Sequence, residues 1–349
     1  MPLPVLSARR ITVLTLGLGS SMALTAHTQA LNVNFDFTYD TGTYQAADGS
    51  NVTGFFTRGV TYQDGSTGDQ RRAALEAAAS VYENAFSDTL TAITPTGGIN
   101  SYNAIINNPS GDGTITLSNL ALQQNEVRVY VGAEDVNAAA FAGPGGAQVF
   151  QNTQFGSNVL SRGQGNTTGS DATDYSLWGG SVTFDSNLSA SGFNFDWHWN
   201  TENTTGLTTS HVDFLSVAIH ELGHVFGFGL ADSFKNKVVE INGEKFFNGA
   251  NAVAAFGGQL VPLDSIAGHF REGLLNNSLN LDPTITVGDR NLLQALDYAV
   301  FADIGWQVNP AVLSAAVAVP TPTAAFSIYS MLSLLLFKRR TPKPQVQTI

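Results

Sequence analysis

The 349-residue chain has no cysteine, only three methionines and six histidines, and few charges: 13% of its residues, 16 basic against 28 acidic. Each shortage excludes something. Without cysteine there is no disulfide framework, no thiolate metal ligand and no cysteine-based latency device, so the fold rests on its core alone. The scarcity of basic residues, with a net charge of −12, argues against nucleic acid or an anionic membrane surface as a partner. No internal repeat is present. What the chain does have is 43% hydrophobic residues, ample for one core or for two subdomains sharing a cleft.

The two ends are set apart by composition. Arg9 and Arg10 precede an apolar run that starts at Ile11, and Thr28-Gln29-Ala30 offers a cleavage site, so residues 1–30 read as a secretory signal peptide. At the other end, a linker over 309–323 contains Val319-Pro320-Thr321-Pro322. An apolar run over 324–337 and then Lys338, Arg339 and Arg340 follow, within a tail of 324–349. The run is short of the ~20 residues that a bilayer span needs, although snorkelling basic residues could extend it into an anchor. The order of Pro-containing motif, apolar segment and basic cluster resembles the PEP-CTERM sorting tail of exported Gram-negative proteins, with Thr321 where that motif has glutamate. The resemblance implies an exported, envelope-associated or extracellular protein, touching membrane only through its termini, whose tail is handled by a sorting enzyme. Between these ends, residues 31–319 hold 10 basic against 28 acidic residues, a net charge of −18.

The central signal is Val217-Ala218-Ile219-His220-Glu221-Leu222-Gly223-His224-Val225-Phe226-Gly227. On a helix, residues four apart lie on one face a turn apart, so His220 and His224 can hold one zinc ion, with Glu221 beside it to take a proton from water. Phe214, Leu215, Val217, Ala218, Ile219, Leu222, Val225 and Phe226 make the helix apolar nearly all round, hence buried. Ser210 and Asp213 have the spacing of a capping box at its start. Histidines and an acid inside a buried helix are costly unless paired or ligating. The pattern therefore points to metal-assisted hydrolysis, most simply of a protein or peptide.

Around the motif, alternation predicts strands over 31–39, 126–131 and 180–184, and helical periodicity predicts a helix over 70–86. Residues 138–173, rich in Gly, Asn, Ser, Thr and Gln, read as long surface loop with at most one short element. The strand Gly179–Asp185 could be an edge strand that aligns an extended substrate beside the metal, or an ordinary internal strand. Asn242-Gly243 predicts a hairpin turn. Lys235, Lys237 and Lys245 near it could form a cationic rim. Asp171 and Asp174 could hold calcium.

Two histidines are one ligand short of a catalytic zinc set. The compact form of the motif has a third histidine six residues after the second, where this chain has Leu230. His27, His198, His211 and His269 remain as candidates. The stretch from His220 to Trp306 resembles the metzincin-type zinc peptidases, most closely the leishmanolysin-like branch, in which an insertion separates the helix from its third histidine. The matching residues are His220, Glu221, His224 and Gly227, then Phe247-Asn248-Gly249-Ala250-Asn251-Ala252-Val253-Ala254-Ala255-Phe256-Gly257-Gly258, then Gly268-His269-Phe270-Arg271-Glu272-Gly273.

The resemblance implies an α+β zincin-like fold within 31–308. A twisted mixed sheet and the active-site helix would fill an upper subdomain over 31–227, with a smaller, mostly irregular or helical lower subdomain over 228–308. It implies zinc on His220, His224 and His269, Glu221 as general base, residues 231–259 as the insertion, and Gly227 as the turn beneath the metal. Such peptidases place a methionine in a turn under the zinc. Leu281 stands at that position, and its similar volume should fill the same floor. Residues 291–304 then read as the closing helix. A competing expectation from another class is a non-proteolytic envelope or matrix protein on a degenerate peptidase fold.

Overall fold

The computed structural model describes residues 31–151, 153–188 and 195–315. The signal peptide read at 1–30 and the tail read at 324–349 lie outside the described residues, as does His27. The elements run β1 (Asn32–Asp36), β2 (Thr43–Gln45), β3 (Asn51–Thr53), α1 (Gly68–Ala85), β4 (Tyr102–Asn107), β5 (Thr114–Ser118), β6 (Glu126–Glu134), β7 (Ala140–Pro144), β8 (Gly146–Val149), α2 (Gln154–Ser161) and β9 (Gly179–Asp185). Then come β10 (Asp196–His198), β11 (His211–Asp213), α3 (Phe214–Val225), α4 (Asp232–Lys235), β12 (Val238–Ile241), β13 (Glu244–Phe247), α5 (Ala250–Ala255), β14 (Val261–Pro262), α6 (Ala295–Asp303) and α7 (Pro310–Ala315). The class is α+β.

The principal sheet has the order β1-β6-β9-β7, with β1, β6 and β9 parallel and β7 antiparallel to β9. Strand alternation sorts β6 between two cores. Val127, Val129, Val131 and Ala133 join the larger cluster with α1 and α3, whereas Tyr130 joins a second cluster with Tyr102, Ala104 and Ile106 of β4. Helices thus cover one face, and the small sheet β5-β4-β8 covers the other. Because β9 lies between β6 and β7, the stretch Gly179–Asp185 is an internal strand and is buried along its whole length. The edge beside it is β7.

That edge falls inside residues 138–173, where polar composition predicts loop with at most one short element. Instead the segment holds β7, β8 and α2. Arg162, at the left-handed end of α2, has no exposed surface and donates to the carbonyl oxygens of Thr91 (2.8 Å), Gln123 (3.0 Å), Glu126 and Leu177 (3.1 Å). One guanidinium, with its fixed fork of donors, thus ties the polar segment to three neighbouring loops.

Helix α1 starts with a full capping box between Thr67 and Gln70 and buries Ala74, Leu75, Ala78, Ala79, Tyr82 and Ala85, at spacings of one helical face. The Tyr82 hydroxyl donates to the Ile219 carbonyl at 2.6 Å, and its ring stacks on Phe226 at 4.7 Å. These contacts fix α1 across the middle and end of α3. Past α3, the Asn242-Gly243 turn joins β12 and β13 as predicted, with φ of 53° and 83°. The closing helix begins at Ala295 rather than 291. Asn291 is drawn away from helical geometry, its N–H donating to Ser216 Oγ at 2.8 Å. No helix among the described residues is long and apolar enough to cross a membrane.

Candidate metal centre

Helix α3 is buried at every position from Phe214 to Gly223. Its cap is Asp213, not Ser210: the Asp213 carboxylate accepts the Ser216 N–H at 3.1 Å and the Ser216 hydroxyl at 2.7 Å. Ser210 lies before strand β11 and is exposed. Asp213 is fully buried and forms a two-point ion pair with Arg290, at 2.9 Å to Nε and 2.7 Å to Nη2. The helix end is a Schellman motif: the Phe228 N–H donates to the Gly223 carbonyl at 3.0 Å and the Gly227 N–H to the His224 carbonyl at 3.0 Å. Gly227 has φ of 101°, and a Cβ there would stand 2.9 Å from the Tyr175 ring and 3.0 Å from Ala231. Only glycine fits.

The fold brings His269 to the two helical histidines. His224 Nε2 lies 3.2 Å from His220 Nε2 and 3.1 Å from His269 Nε2. His198 and His211 sit elsewhere, on β10 and β11, with ring centroids 6.2 Å apart. Each ring of the triad is held through its other nitrogen. His220 Nδ1 lies 2.7 Å from the Asn280 carbonyl, His224 Nδ1 3.1 Å from the Phe228 carbonyl, and His269 Nδ1 3.0 Å from Asp264 Oδ2. A carbonyl oxygen can only accept, so the Nδ1 of His220 and of His224 carries the proton, and a carboxylate asks the same of His269.

That proton placement is a test of fit for a metal. Three neutral imidazoles with protons on Nδ1 direct three Nε2 lone pairs at one another, an arrangement that is repulsive unless a cation lies between them. Burial, and then the neighbouring imidazole, hold His220 well below the ordinary histidine range and bring His224 down to about 4, so both present free lone pairs at neutral pH. Nitrogens sharing a tetrahedral zinc at ~2.0–2.1 Å stand ~3.3 Å from one another, close to the separations seen here. The donor set of three imidazoles and no thiolate fits zinc. Among the described residues, this triad is the one group of three or more His, Cys, Asp or Glu side chains with ligand atoms close enough to share an ion. Asp171 and Asp174 form no such group. Both Asp174 oxygens accept backbone N–H groups, from Gly165 at 2.8 Å and Tyr175 at 2.7 Å.

Leu281 forms the floor. It has no exposed surface, and its N–H and carbonyl tie two segments together: the N–H donates to Asp297 Oδ1 at 3.2 Å, and the carbonyl accepts from Phe270 at 3.0 Å. Burial pushes Asp297 up to about 7, against the backbone N–H groups that favour its anion. Asp297 thus fixes the turn whose Asn280 carbonyl orients His220. Neither Asp297 nor the residues whose oxygens hold the rings (Asp264, Phe228 and Asn280) stood out in the sequence. Carbonyl acceptors leave no signature in residue type, and only Asp264, five residues before His269, carried a usable signal.

The triad opens into a cleft of about 620 Å³, which Glu221 also lines. Burial pushes Glu221 up to about 8. A neighbouring cation would favour its anion. Ala138, Ala139, Ala140, Phe141 and Ala142 form one wall, and Leu230, Ile266, Pro283, Ile285 and Val287 line other parts. Lys235, Lys237 and Lys245 are not among the residues that line the cleft. Lys235 pairs instead with Asp232 at 3.5 Å on the surface. No protein-family model matches the chain, and a search of curated proteins returns no match.

Proposed function

We propose that the chain is an exported zinc-dependent endopeptidase of metzincin-like fold. The observation that carries the reading is the convergence of three Nε2 lone pairs beside buried Glu221 in a cleft walled by an open sheet edge. Zinc bound there would polarise the scissile carbonyl and lower the pKa of a water it activates. The chain's own residues supply the rest. Among the described residues β7 is the terminal strand of its sheet and it lines the cleft, so its outer backbone edge would take an extended peptide as an added strand. The apolar walls around Phe141, Leu230 and Ile266 would bury substrate side chains and exclude bulk water. Glu221 would accept a proton from the attacking water and return it to the departing amine; a carboxyl tuned towards neutral pH suits both halves of that exchange.

The test is Glu221→Gln in the full chain, with zinc content and cleavage of an unfolded protein measured side by side. Retained zinc with hydrolysis lowered by a factor of at least ~100 is expected. Undiminished hydrolysis overturns the assignment.

A further inference from the structure

Two of the three histidines owe their direction to α3, but His269 stands on a loop, with about a fifth of its side chain exposed. That loop closes on itself. The Asp264 N–H donates to the His269 carbonyl at 3.0 Å, and the Ala267 N–H donates to the Asp264 carbonyl at 3.1 Å. Asp264 Oδ1 accepts the Gly268 N–H at 2.8 Å while Oδ2 faces His269 Nδ1 at 3.0 Å. Ala267 takes a left-handed conformation at φ 60° to complete the turn. Every polar contact of the Asp264 side chain is thus spent on the residue that carries the third imidazole and on the one before it. Of the three groups that hold the triad's Nδ1 atoms, Asp264 is the only anion; the others are main-chain carbonyls.

We propose that Asp264 is the positioning residue of the site: its carboxylate fixes the tautomer and ring plane of His269, so that Nε2 faces the other two imidazoles. The proposal rests on the zinc reading above. A carboxylate behind a ligating imidazole typically contributes about 10- to 100-fold in metal affinity. It matters most where the ligand is least held by its own backbone, which here is His269. Asp264→Asn retains one acceptor oxygen, enough for the Gly268 N–H or the imidazole but not for both.

The experiment measures zinc affinity of the full chain by chelator competition, together with the imidazole tautomers of the metal-free chain by nitrogen NMR. For Asp264→Asn, zinc affinity about 10- to 100-fold weaker is expected, with His269 losing its uniform Nδ1–H form while His220 and His224 keep theirs. Near-UV circular dichroism checks that the variant is folded. If it is not, Asp264→Glu, which keeps the charge, replaces it and should bind zinc more tightly than Asp264→Ala. Wild-type affinity and tautomer in Asp264→Asn, or equal affinity in the Glu and Ala variants, overturns the role of Asp264 alone. A wild-type chain that takes up no zinc overturns the metallopeptidase reading beneath it.

Discussion

Leu281 stands so close under the helix that a Cβ built on Gly223 would lie 2.6 Å from its Cδ2. Gly223 sits between the two helical histidines, so the leucine fills the space beneath them and the glycine makes room for it. The packing there is set by shape. Leu281→Met, a swap of similar volume, should change stability by less than ~1.5 kcal/mol. Leu281→Ala leaves a cavity under α3 and should cost about 2–5 kcal/mol in denaturant unfolding, with a matching loss of metal affinity as Asn280 loosens its hold on His220. A cost below ~1 kcal/mol for the alanine variant would show that the floor is not packed as described.

Helix α3 depends on one residue at its start. Asp213 caps the helix and also neutralises Arg290, whose side chain is only 11% exposed. Arg290 donates in addition to the carbonyls of Asn200 and of Thr201, the latter at 3.0 Å, so a single ion pair anchors the loop before β11, the start of α3 and the segment before α6. Asp213→Ala removes the cap and leaves a buried charge without its partner; a loss of about 3–5 kcal/mol is expected, measured by thermal or denaturant unfolding. Arg290→Met with Asp213→Leu should recover part of that loss, and failure to do so would count against the ion pair as the cause.

Elements with a strong period were legible from residues alone. Helix α1 was expected over 70–86 and spans Gly68–Ala85; the cores of β1, β6 and β9 and the Asn242-Gly243 hairpin also lie where alternation and turn chemistry put them. Strand β7 was not legible. An edge strand with one face towards a cleft has no need of strict alternation, and Ala140-Phe141-Ala142-Gly143-Pro144 shows none. The helix starts after Asp213 rather than Ser210 because His211–Asp213 pairs as a strand with Asp196–His198 and Asp213 is held by Arg290, 77 residues away, and neither partner is near in sequence. In the candidate site, the spacing of His220 and His224 follows from helix geometry. The approach of His269 does not; it was expected only through likeness to known peptidases, because no local rule states where a chain returns after an insertion.

At the scale of the whole molecule, the triad joins α3 to a segment that re-enters after a separation of 45 residues. With no disulfide anywhere, a shared ion would be the one strong link between those parts beyond packing and hydrogen bonds. Zinc bound at a thousandfold excess over its dissociation constant would add about 4 kcal/mol to the stability of the folded state. Chelation should therefore lower the unfolding midpoint, and hydrogen exchange should show the largest loss of protection over residues 264–282. Identical midpoints with and without chelator would mean that the triad holds no metal in the native chain.

The same long return sets an order of assembly. A chain in which α3 alone has formed presents two imidazoles, one short of a catalytic set, and among the described residues before His269 none supplies the third in the right place. The hairpin, α5 and the closed turn at Asp264 all lie between α3 and His269 along the chain. Under the proposed reading, hydrolytic competence would come only with the completed fold. A half-made molecule would then carry no competent site, and folding itself would act as a safety catch.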